Sequence, residues 1–272
     1  MAISFLPTII FPPPSSLFVT TMSILTCVSL ANAGYMEAKG KHMKYSKFFN
    51  VMASKQPSSN NKQEIKLSSR NGMLLLYTPA FLVGLVAFAF FNNQDLRFVM
   101  LISTLTVHFF KRILEVLLVH KYSGFMALET AIPISLSYTL STATLIYAQY
   151  LSQAFPEPTL DLKNVGTVLF FVGIMGNSYH HLILSNLRKE GDKEYKIPRG
   201  GLFDLVICPH YLFEIVEFMG VSCISQATFS ISFTLGTIFY LTGRSYATRE
   251  WYSAKFGEKF PNDVKALIPY IF

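Results

Sequence analysis

The chain has 272 residues, of which 51% are hydrophobic and only 14% charged, and it carries a formal net charge of +7. Soluble domains carry about 25% charged residues, so this composition argues against a soluble enzyme and favours a membrane protein. The 25 Phe and 14 Tyr suit lipid-facing surfaces and interfacial belts. Cys27, Cys208 and Cys223 form no CxxC pair, which argues against a disulfide framework or a cysteine zinc site.

Successive apolar windows, each close to the roughly 20 residues that cross a bilayer, follow one another along the chain. They cover 8–33, 72–91, 97–119, 125–151, 164–186, 203–223 and 227–243. The predicted fold is therefore all-α, an integral membrane bundle of about seven transmembrane helices. Residues 1–70 are predicted to form the first transmembrane helix and a basic cytosolic linker with a polar tract at 54–66. A signal peptide is the alternative for the first window, but no basic segment precedes it, and we predict an uncleaved helix.

The basic residues are distributed unevenly between the two sides of the predicted bundle. Of the 23 Lys and Arg, 19 lie in the segment 34–70, the turn near 121, the loop 187–202 and the tail after 243. Lys111 and Arg112 lie inside a span, and only Arg97 and Lys163 lie on the other side. Basic loops stay in the cytosol, so the C-terminus is predicted to be cytosolic and the N-terminus lumenal or external. The positive net charge is then explained by this membrane topology, with the lipid bilayer as the partner. No nucleic-acid partner is needed to account for it.

Ionisable and amide side chains recur at helical spacing on three of the predicted spans. The three sets are His108, Lys111, Arg112 and Glu115; Asn177, His181 and Arg188; and His210, Glu214 and Glu217. A charge near the middle of a bilayer costs roughly 2.5–3.5 kcal/mol on insertion scales, so such residues usually face a bundle interior and mark function. The pattern predicts a polar chamber enclosed by the helices.

Short strings in the second half of the chain carry a family resemblance. Residues 197–203 read Ile-Pro-Arg-Gly-Gly-Leu-Phe, residues 208–211 read Cys-Pro-His-Tyr, and Glu214, Arg244 and Trp251-Tyr252 follow. This pattern resembles the steroid 5α-reductase and trans-2-enoyl-CoA reductase family of membrane enzymes over roughly 72–272, and most densely over 177–272. The string from His108 to Glu115 is more similar to the enoyl-CoA reductase branch.

The resemblance implies an oxidoreductase of the endoplasmic reticulum membrane that acts on CH–CH groups. NADPH would reduce a carbon–carbon double bond conjugated to the carbonyl of an apolar substrate, either a 3-oxo-Δ4 steroid or a trans-2-enoyl-CoA. The reductase domain would be 71–272, with the cofactor-binding part at about 120–272. No GxGxxG fingerprint is present, which argues against a soluble dinucleotide-binding domain. The positions that match cofactor-lining residues of the family are Asn177, His181, Arg188, Tyr195, His210, Glu214, Arg244 and Tyr252.

The residues that would handle the substrate carbonyl depart from the steroid branch. Tyr77 stands where that branch has Glu, and Phe109 stands where it has Tyr. Reduction of an enone needs a donor for the negative charge that develops on the carbonyl oxygen. The remaining candidates for catalysis are Tyr77, Lys111 and Tyr211.

Less specific interpretations remain open for the same residues. Lys111 and Arg112 have the spacing to pair with Glu115, Glu214 and Glu217 could bond across helices, and His180 is predicted to pack. We expect no metal, although His180, His181, His210 and Glu214 are ligand types for iron or zinc. Gly200-Gly201 would allow a ligand to approach the backbone or form an ordinary turn. A membrane methyltransferase and a catalytically impaired family member acting as a lipid-binding or scaffold protein are the alternative functions.

Overall fold

A computed structural model describes residues 9–43, 45, 48, 65–91, 94–187 and 194–272. Helices dominate these residues, which agrees with the predicted all-α class. The α-helices are α1 (Leu17–Ala38), α2 (Ser69–Phe90), α3 (Leu96–Leu114), α4 (Leu128–Ser152), α5 (Lys163–Asn186), α6 (Pro209–Ser225) and α7 (Thr228–Phe256). Short 3-10 turns lie at Gly201–Asp204 and Gly257–Lys259. Most of the predicted tract 54–66 lies outside the described residues.

Helices α1, α2, α4 and α5 are each long and apolar enough to cross a membrane. The other three helices do not meet the same criteria of length and apolar composition. Helix α3 contains Arg97, Lys111 and Arg112, helix α6 has only 17 residues, and α7 is 29 residues long but has a polar second half. Within the described residues, all seven predicted spans therefore correspond to helices. The three basic residues that lower the hydropathy of α3 have largely buried side chains.

Local sequence signals explain where helices begin. Three consecutive prolines at 12–14 delay the start of α1 to Leu17, because proline cannot donate the helical hydrogen bond, whereas the apolar pattern alone placed the start near residue 8. The Ser16 hydroxyl then caps α1 by accepting from the Val19 N–H at 3.3 Å. The Asp95 carboxylate caps α3 by accepting from the Phe98 N–H at 2.7 Å.

Small residues allow two helix pairs to pack closely. A Cβ added to Gly220 of α6 would lie 2.5 Å from the Phe170 nitrogen and 2.7 Å from the Gly166 oxygen of α5. Gly34 of α1 and Gly243 of α7 face each other in the same way. Helices in lipid associate largely through such close backbone packing, so these contacts fix the α5–α6 and α1–α7 pairs.

The segment after α3 directs side chains towards the bundle interior. The chain continues from α3 into a π-helical turn, Glu115–Val119, and then into an antiparallel strand pair. Strand β1 (Lys66–Ser68) pairs with β2 (Phe125–Ala127), so the residues before α2 are tied to those before α4. Single π turns often occur at functional sites, and this one places Glu115 inside the bundle.

The opposite end of the bundle is held by a buried arginine that the sequence pattern identified only as a topology signal. Arg97 is 1% exposed. It contacts Glu157 at 2.5 Å and Asp161 at 3.1 Å in the α4–α5 connection. It also donates to the Ile224 carbonyl at 2.6 Å and to Gln226 Oε1 at 2.8 Å, at the turn between α6 and α7. Arg97 thus joins three connections at one end of the protein.

Candidate active site

The polar residues of α3 form a buried ionic cluster around one carboxylate. Glu115 is 4% exposed and accepts from Lys111 Nζ at 2.9 Å and from Arg112 Nη1 at 2.8 Å. His181 of α5 lies with Nδ1 3.0 Å from the same carboxylate. The predicted pairing one turn along α3 is therefore confirmed. A buried charge needs such partners, and here they also bind α3 to α5.

Amide and imidazole groups extend this cluster to α6. Lys111 donates to the Asn177 side-chain oxygen, and Asn177 Nδ2 donates to the His210 carbonyl at 2.8 Å. The His181 and His210 rings lie 5.4 Å apart, centroid to centroid. Four residues from the predicted sets on three helices, Lys111, Asn177, His181 and His210, thus meet in one place.

A second buried pair joins α3 to α6 at a deeper level. His108 Nδ1 lies 2.7 Å from Glu217 Oε1, and both side chains are buried. This confirms the interpretation that an α6 glutamate bonds across helices, although it does so through Glu217. Glu214, by contrast, is partly exposed and lies within electrostatic reach of Tyr77, Arg112 and Tyr211.

Tyr77 of α2 joins the site through Arg112. It is 4% exposed, and its hydroxyl accepts a hydrogen bond from Arg112 Nη2 at 2.6 Å. Its ring stacks on Tyr138 at 5.8 Å and lies 6.5 Å from Phe109. The position that carries Glu in the steroid branch is thus occupied here by a phenol that is bonded to a cation.

Arg244 of α7 has a carboxylate partner that sequence spacing did not reveal. It is 2% exposed, with Nη1 2.6 Å from Glu37 Oε1 at the end of α1. Tyr45 and Phe48 cover the guanidinium, at 4.5 and 4.2 Å from their ring centroids. Because 207 positions separate Glu37 from Arg244, no local pattern could have indicated the pair.

Tyr211 connects the Arg244 region to the ionic cluster. Its ring lies 4.3 Å from the His210 ring, and it is within electrostatic reach of Arg244. The His210 ring also lies next to the His181 ring. The rings of His181, His210 and Tyr211 are therefore neighbours, with Arg244 within electrostatic reach of Tyr211.

The remaining predicted cofactor residues lie at the basic end of the bundle or outside the described part. Tyr195 packs edge-on against Trp251 at 4.8 Å, and Trp251 packs against Tyr252 at 5.0 Å. Lys255 lies 5.3 Å from the Tyr195 and Trp251 ring centroids. Arg188 falls within the residues 188–193 that the structure does not describe.

The glycine pair and His180 form a packing unit. Gly200 and Gly201 have φ angles of 87° and 55°, a region that favours glycine. A Cβ on Gly201 would lie 2.8 Å from His180 Nε2, so this glycine approaches α5 closely. His180 Nδ1 donates to the Gly176 carbonyl at 2.7 Å, while Nε2 accepts from the Leu202 N–H at 3.1 Å. His180 therefore packs as predicted, and Gly201 is required by the turn.

Potential metal-binding atoms occur together at Glu115, His120 and His181, where they lie within 4.8 Å of one another. The ligand set suggested by the sequence was different, and His180 of that set faces the 201–204 turn. Both Glu115 oxygens already bond to Lys111 and Arg112. A divalent ion at Glu115 would have to displace Lys111 and Arg112 or add positive charge beside them. These residues are therefore described as an ion-pair cluster.

Burial lowers the pKa of His120 to about 4, with Arg112 adding to the effect, so this imidazole is neutral at physiological pH. Burial also raises the pKa of the nearby Tyr122 hydroxyl, with Tyr77 adding to it. Both residues follow α3 at the edge of the cluster, and both are held in their uncharged forms. Neither residue therefore adds charge to the cluster.

Comparisons with known proteins identify the family of the chain. The sequence model of a family described as 3-oxo-5-alpha-steroid 4-dehydrogenase matches residues 130–272. Steroid 5-alpha-reductase DET2 of Gossypium hirsutum is 44% identical over 107 residues, which are 39% of this chain and 42% of that protein. The DET2 protein of Arabidopsis thaliana is 29% identical over 208 residues, 73% of this chain and 79% of the relative. A very-long-chain enoyl-CoA reductase of Dictyostelium discoideum is 32% identical over 167 residues, 61% and 55% of the two chains.

The matched part thus covers less than half of the Gossypium protein and just over half of the Dictyostelium protein. The family model, however, covers more than half of the present chain, and it includes α5, α6 and α7 and all eight predicted cofactor residues. These helices carry the cluster residues Asn177, His181 and His210. The chain belongs to the 3-oxo-5-alpha-steroid 4-dehydrogenase family.

Proposed function

We propose that the protein is an NADPH-dependent reductase of a carbon–carbon double bond conjugated to a carbonyl in a lipid substrate. The observation that carries the proposal is the buried cluster in which Lys111, Asn177 and His181 meet Tyr77 through Arg112. Burying so many polar groups costs stability, and residues of this kind inside a membrane bundle usually serve a ligand. The two substrate classes, steroids and acyl-CoA thioesters, are those named for the relatives from Arabidopsis thaliana and Dictyostelium discoideum.

The donor set fits a phosphorylated nicotinamide. Asn177, His181, His210 and Glu214 offer donors and acceptors for amide and hydroxyl groups. Arg244 carries a guanidinium of the kind that binds phosphate, but to reach one it has to exchange its bond to Glu37 and the cover of Tyr45 and Phe48. Arg188 is the second candidate for that role. Tyr195 and Tyr252 add aromatic surface near the basic end of α7.

The chemistry then divides among few residues. NADPH, when bound, supplies the hydride that adds to the β-carbon. The Tyr77 hydroxyl donates a hydrogen bond to the carbonyl oxygen, where negative charge develops. Lys111 or Tyr211 supplies the proton that the α-carbon takes up, which completes saturation of the double bond. The apolar neighbours of Tyr77, among them Leu76 and Met126, keep water away from this reaction.

The bilayer is the natural partner of such an enzyme, because its substrate is apolar. We infer a multi-pass protein of the endoplasmic reticulum with a cytosolic C-terminus. The support is the charge asymmetry of the chain and the fact that Arg97 and Lys163 lie together at one end, both paired with acids. Glycosylation sites inserted near residue 158 and near the C-terminus test this orientation: only the former should be modified.

The decisive assay incubates microsomes containing the protein with NADPH and either a 4-en-3-one steroid or a trans-2-enoyl-CoA, and measures a two-hydrogen mass gain. Lys111→Ala and Tyr211→Phe are each expected to lower turnover by about tenfold or more while leaving NADPH binding intact. Arg244→Ala and Arg188→Ala should abolish saturable NADPH binding to purified protein. Arg70→Gln is the control and should leave binding unchanged, because among the described residues the Arg70 side chain bonds only the exposed Leu117 carbonyl.

Two outcomes would contradict the proposal. Wild-type protein that shows no saturable NADPH binding is not a reductase of this kind. Protein that binds NADPH but converts neither substrate class is the catalytically impaired member that the replacements at Tyr77 and Phe109 left open. Unchanged turnover in both Lys111→Ala and Tyr211→Phe would remove these residues from the mechanism.

A further inference from the structure

Arg112 has a contact pattern that the reaction described above does not use. One guanidinium nitrogen is 2.8 Å from Glu115 and the other is 2.6 Å from the Tyr77 oxygen. The Glu115 carboxylate accepts only, so His181 Nδ1 donates to it at 3.0 Å and cannot also accept from Arg112. Glu115 and Tyr77 are therefore the two acceptors that hold the guanidinium in place.

The direction of the bond to Tyr77 determines where the phenolic proton goes. Arginine has donors and no acceptor, so the Tyr77 oxygen must accept from Arg112. The proton of the Tyr77 hydroxyl then has to point elsewhere. In the part of the chain that the structure describes, Tyr77 makes no second hydrogen bond. The buried Tyr77 hydroxyl therefore accepts from Arg112 and still has its own proton available to donate to a bound ligand.

The surroundings of Tyr77 strengthen such a donor. Its ring lies in an apolar cluster with Leu76, Phe109, Val116 and Met126, and hydrogen bonds are electrostatically stronger in a low dielectric. A cation bonded to the phenol oxygen draws electron density from it and makes the remaining O–H a better donor. Both effects favour an acceptor that gains negative charge.

We propose that Arg112 is a positioning residue that orients and polarises the Tyr77 hydroxyl towards the carbonyl oxygen of the substrate. The inference rests on the proposed reductase function. It assigns to an Arg–Tyr pair the carbonyl contact for which the steroid branch was expected to use Glu and Tyr. Arg112 itself touches neither the substrate nor the cofactor in this arrangement, and its effect passes entirely through Tyr77.

A double-mutant cycle tests this dependence. Tyr77→Phe is expected to lower kcat by roughly 10²-fold, the usual effect of removing one donor to a developing oxyanion. Arg112→Gln should lower kcat roughly tenfold or more in the wild-type background but less than about twofold in the Tyr77→Phe background. Arg112→Lys keeps a donor that can reach one partner at a time, and it should recover part of the loss. KM should change little in each case.

The variants have a built-in check on folding. After Arg112→Gln, Glu115 still has Lys111 at 2.9 Å and His181 at 3.0 Å, so the cluster keeps a cation. Arg70→Gln removes an arginine that lies outside the cluster and is the matched control, with kcat expected to stay at the wild-type value. Thermal unfolding of every variant in detergent shows whether any loss of kcat reflects loss of fold.

A readout that needs no turnover separates this inference from the proposed function. The infrared stretch of a 13C-labelled carbonyl, in a bound 4-en-3-one steroid or trans-2-enoyl-CoA, falls in frequency when a strong donor bonds to it. The wild-type shift should be lost in Tyr77→Phe and reduced in Arg112→Gln. If the protein has no reductase activity but keeps this pattern of carbonyl shifts, the proposed function is refuted and the positioning role of Arg112 stands. An unshifted carbonyl band in wild type, or an Arg112→Gln effect of equal size in both backgrounds, overturns the positioning role.

Discussion

Replacement of Arg97 by methionine tests whether the clamp between the helix connections stabilises the bundle. Methionine retains an unbranched stem but none of the donors. The Ile224 carbonyl belongs to the last turn of α6, where helical partners run out, and it would lose its 2.6 Å bond in a fully buried setting. An orphaned buried acceptor costs about 1–3 kcal/mol. Glu157 and Asp161 are about half exposed, so loss of their ion pairs adds no more than about 1 kcal/mol.

The expected loss in the free energy of unfolding is therefore about 3 kcal/mol, most of it from the Ile224 carbonyl, because Gln226 Oε1 still accepts from the Leu162 N–H at 3.0 Å. Unfolding in mixed detergent micelles, followed by fluorescence of the single tryptophan, measures it. Lys163→Met is the matched control, because Lys163 contacts the same two acids at 3.5 and 3.0 Å. It should cost at most about 1 kcal/mol. Equal losses in the two variants would refute the reasoning, since the acids alone would then explain the effect.

The other predictions concern pH and helix packing. Because the pKa of His120 falls to about 4 in the folded protein from about 6.5 unfolded, the unfolded chain binds the proton first as pH falls. The free energy of unfolding should therefore fall by up to about 3 kcal/mol as the pH is lowered from about 6.5 towards 4. In His120→Gln, unfolding curves measured over a pH series should show a smaller dependence of this free energy on pH in the same range. Gly220→Ala should lower stability by about 1–3 kcal/mol, because its Cβ would meet the α5 backbone at 2.5 Å, whereas Gly124→Ala, with only a 3.5 Å contact, should be neutral in the same assay.

The sequence allowed the helices and much of the candidate site to be predicted, because both depend on local spacing. The pairing of Lys111 and Arg112 with Glu115 follows from positions three and four apart on a helix. The packing role of His180 follows from its place off the stripe that carries His181. The start of α1 was misplaced because apolar character extends through prolines that cannot continue a helix.

Long-range partners could not be predicted in this way. Glu37 lies at the end of α1, and nothing near it in the chain indicates that its carboxylate meets Arg244. The buried contacts of Arg97 could not be predicted from local spacing, because its side-chain acceptors lie at least 60 positions away in the chain. The contact between Arg112 and Tyr77 also depends on how α2 packs against α3, which periodicity does not specify.

The pairing of α1 with α7 has a consequence for biosynthesis. A ribosome completes the first helix long before the last one exists, so the carboxylate of Glu37 leaves the exit tunnel without the guanidinium that later neutralises it. Until Arg244 arrives, that charge must stay in contact with water or headgroups. Nascent chains stalled before residue 228 should therefore react at Glu37 with a water-soluble carbodiimide, and the released full-length protein should be protected.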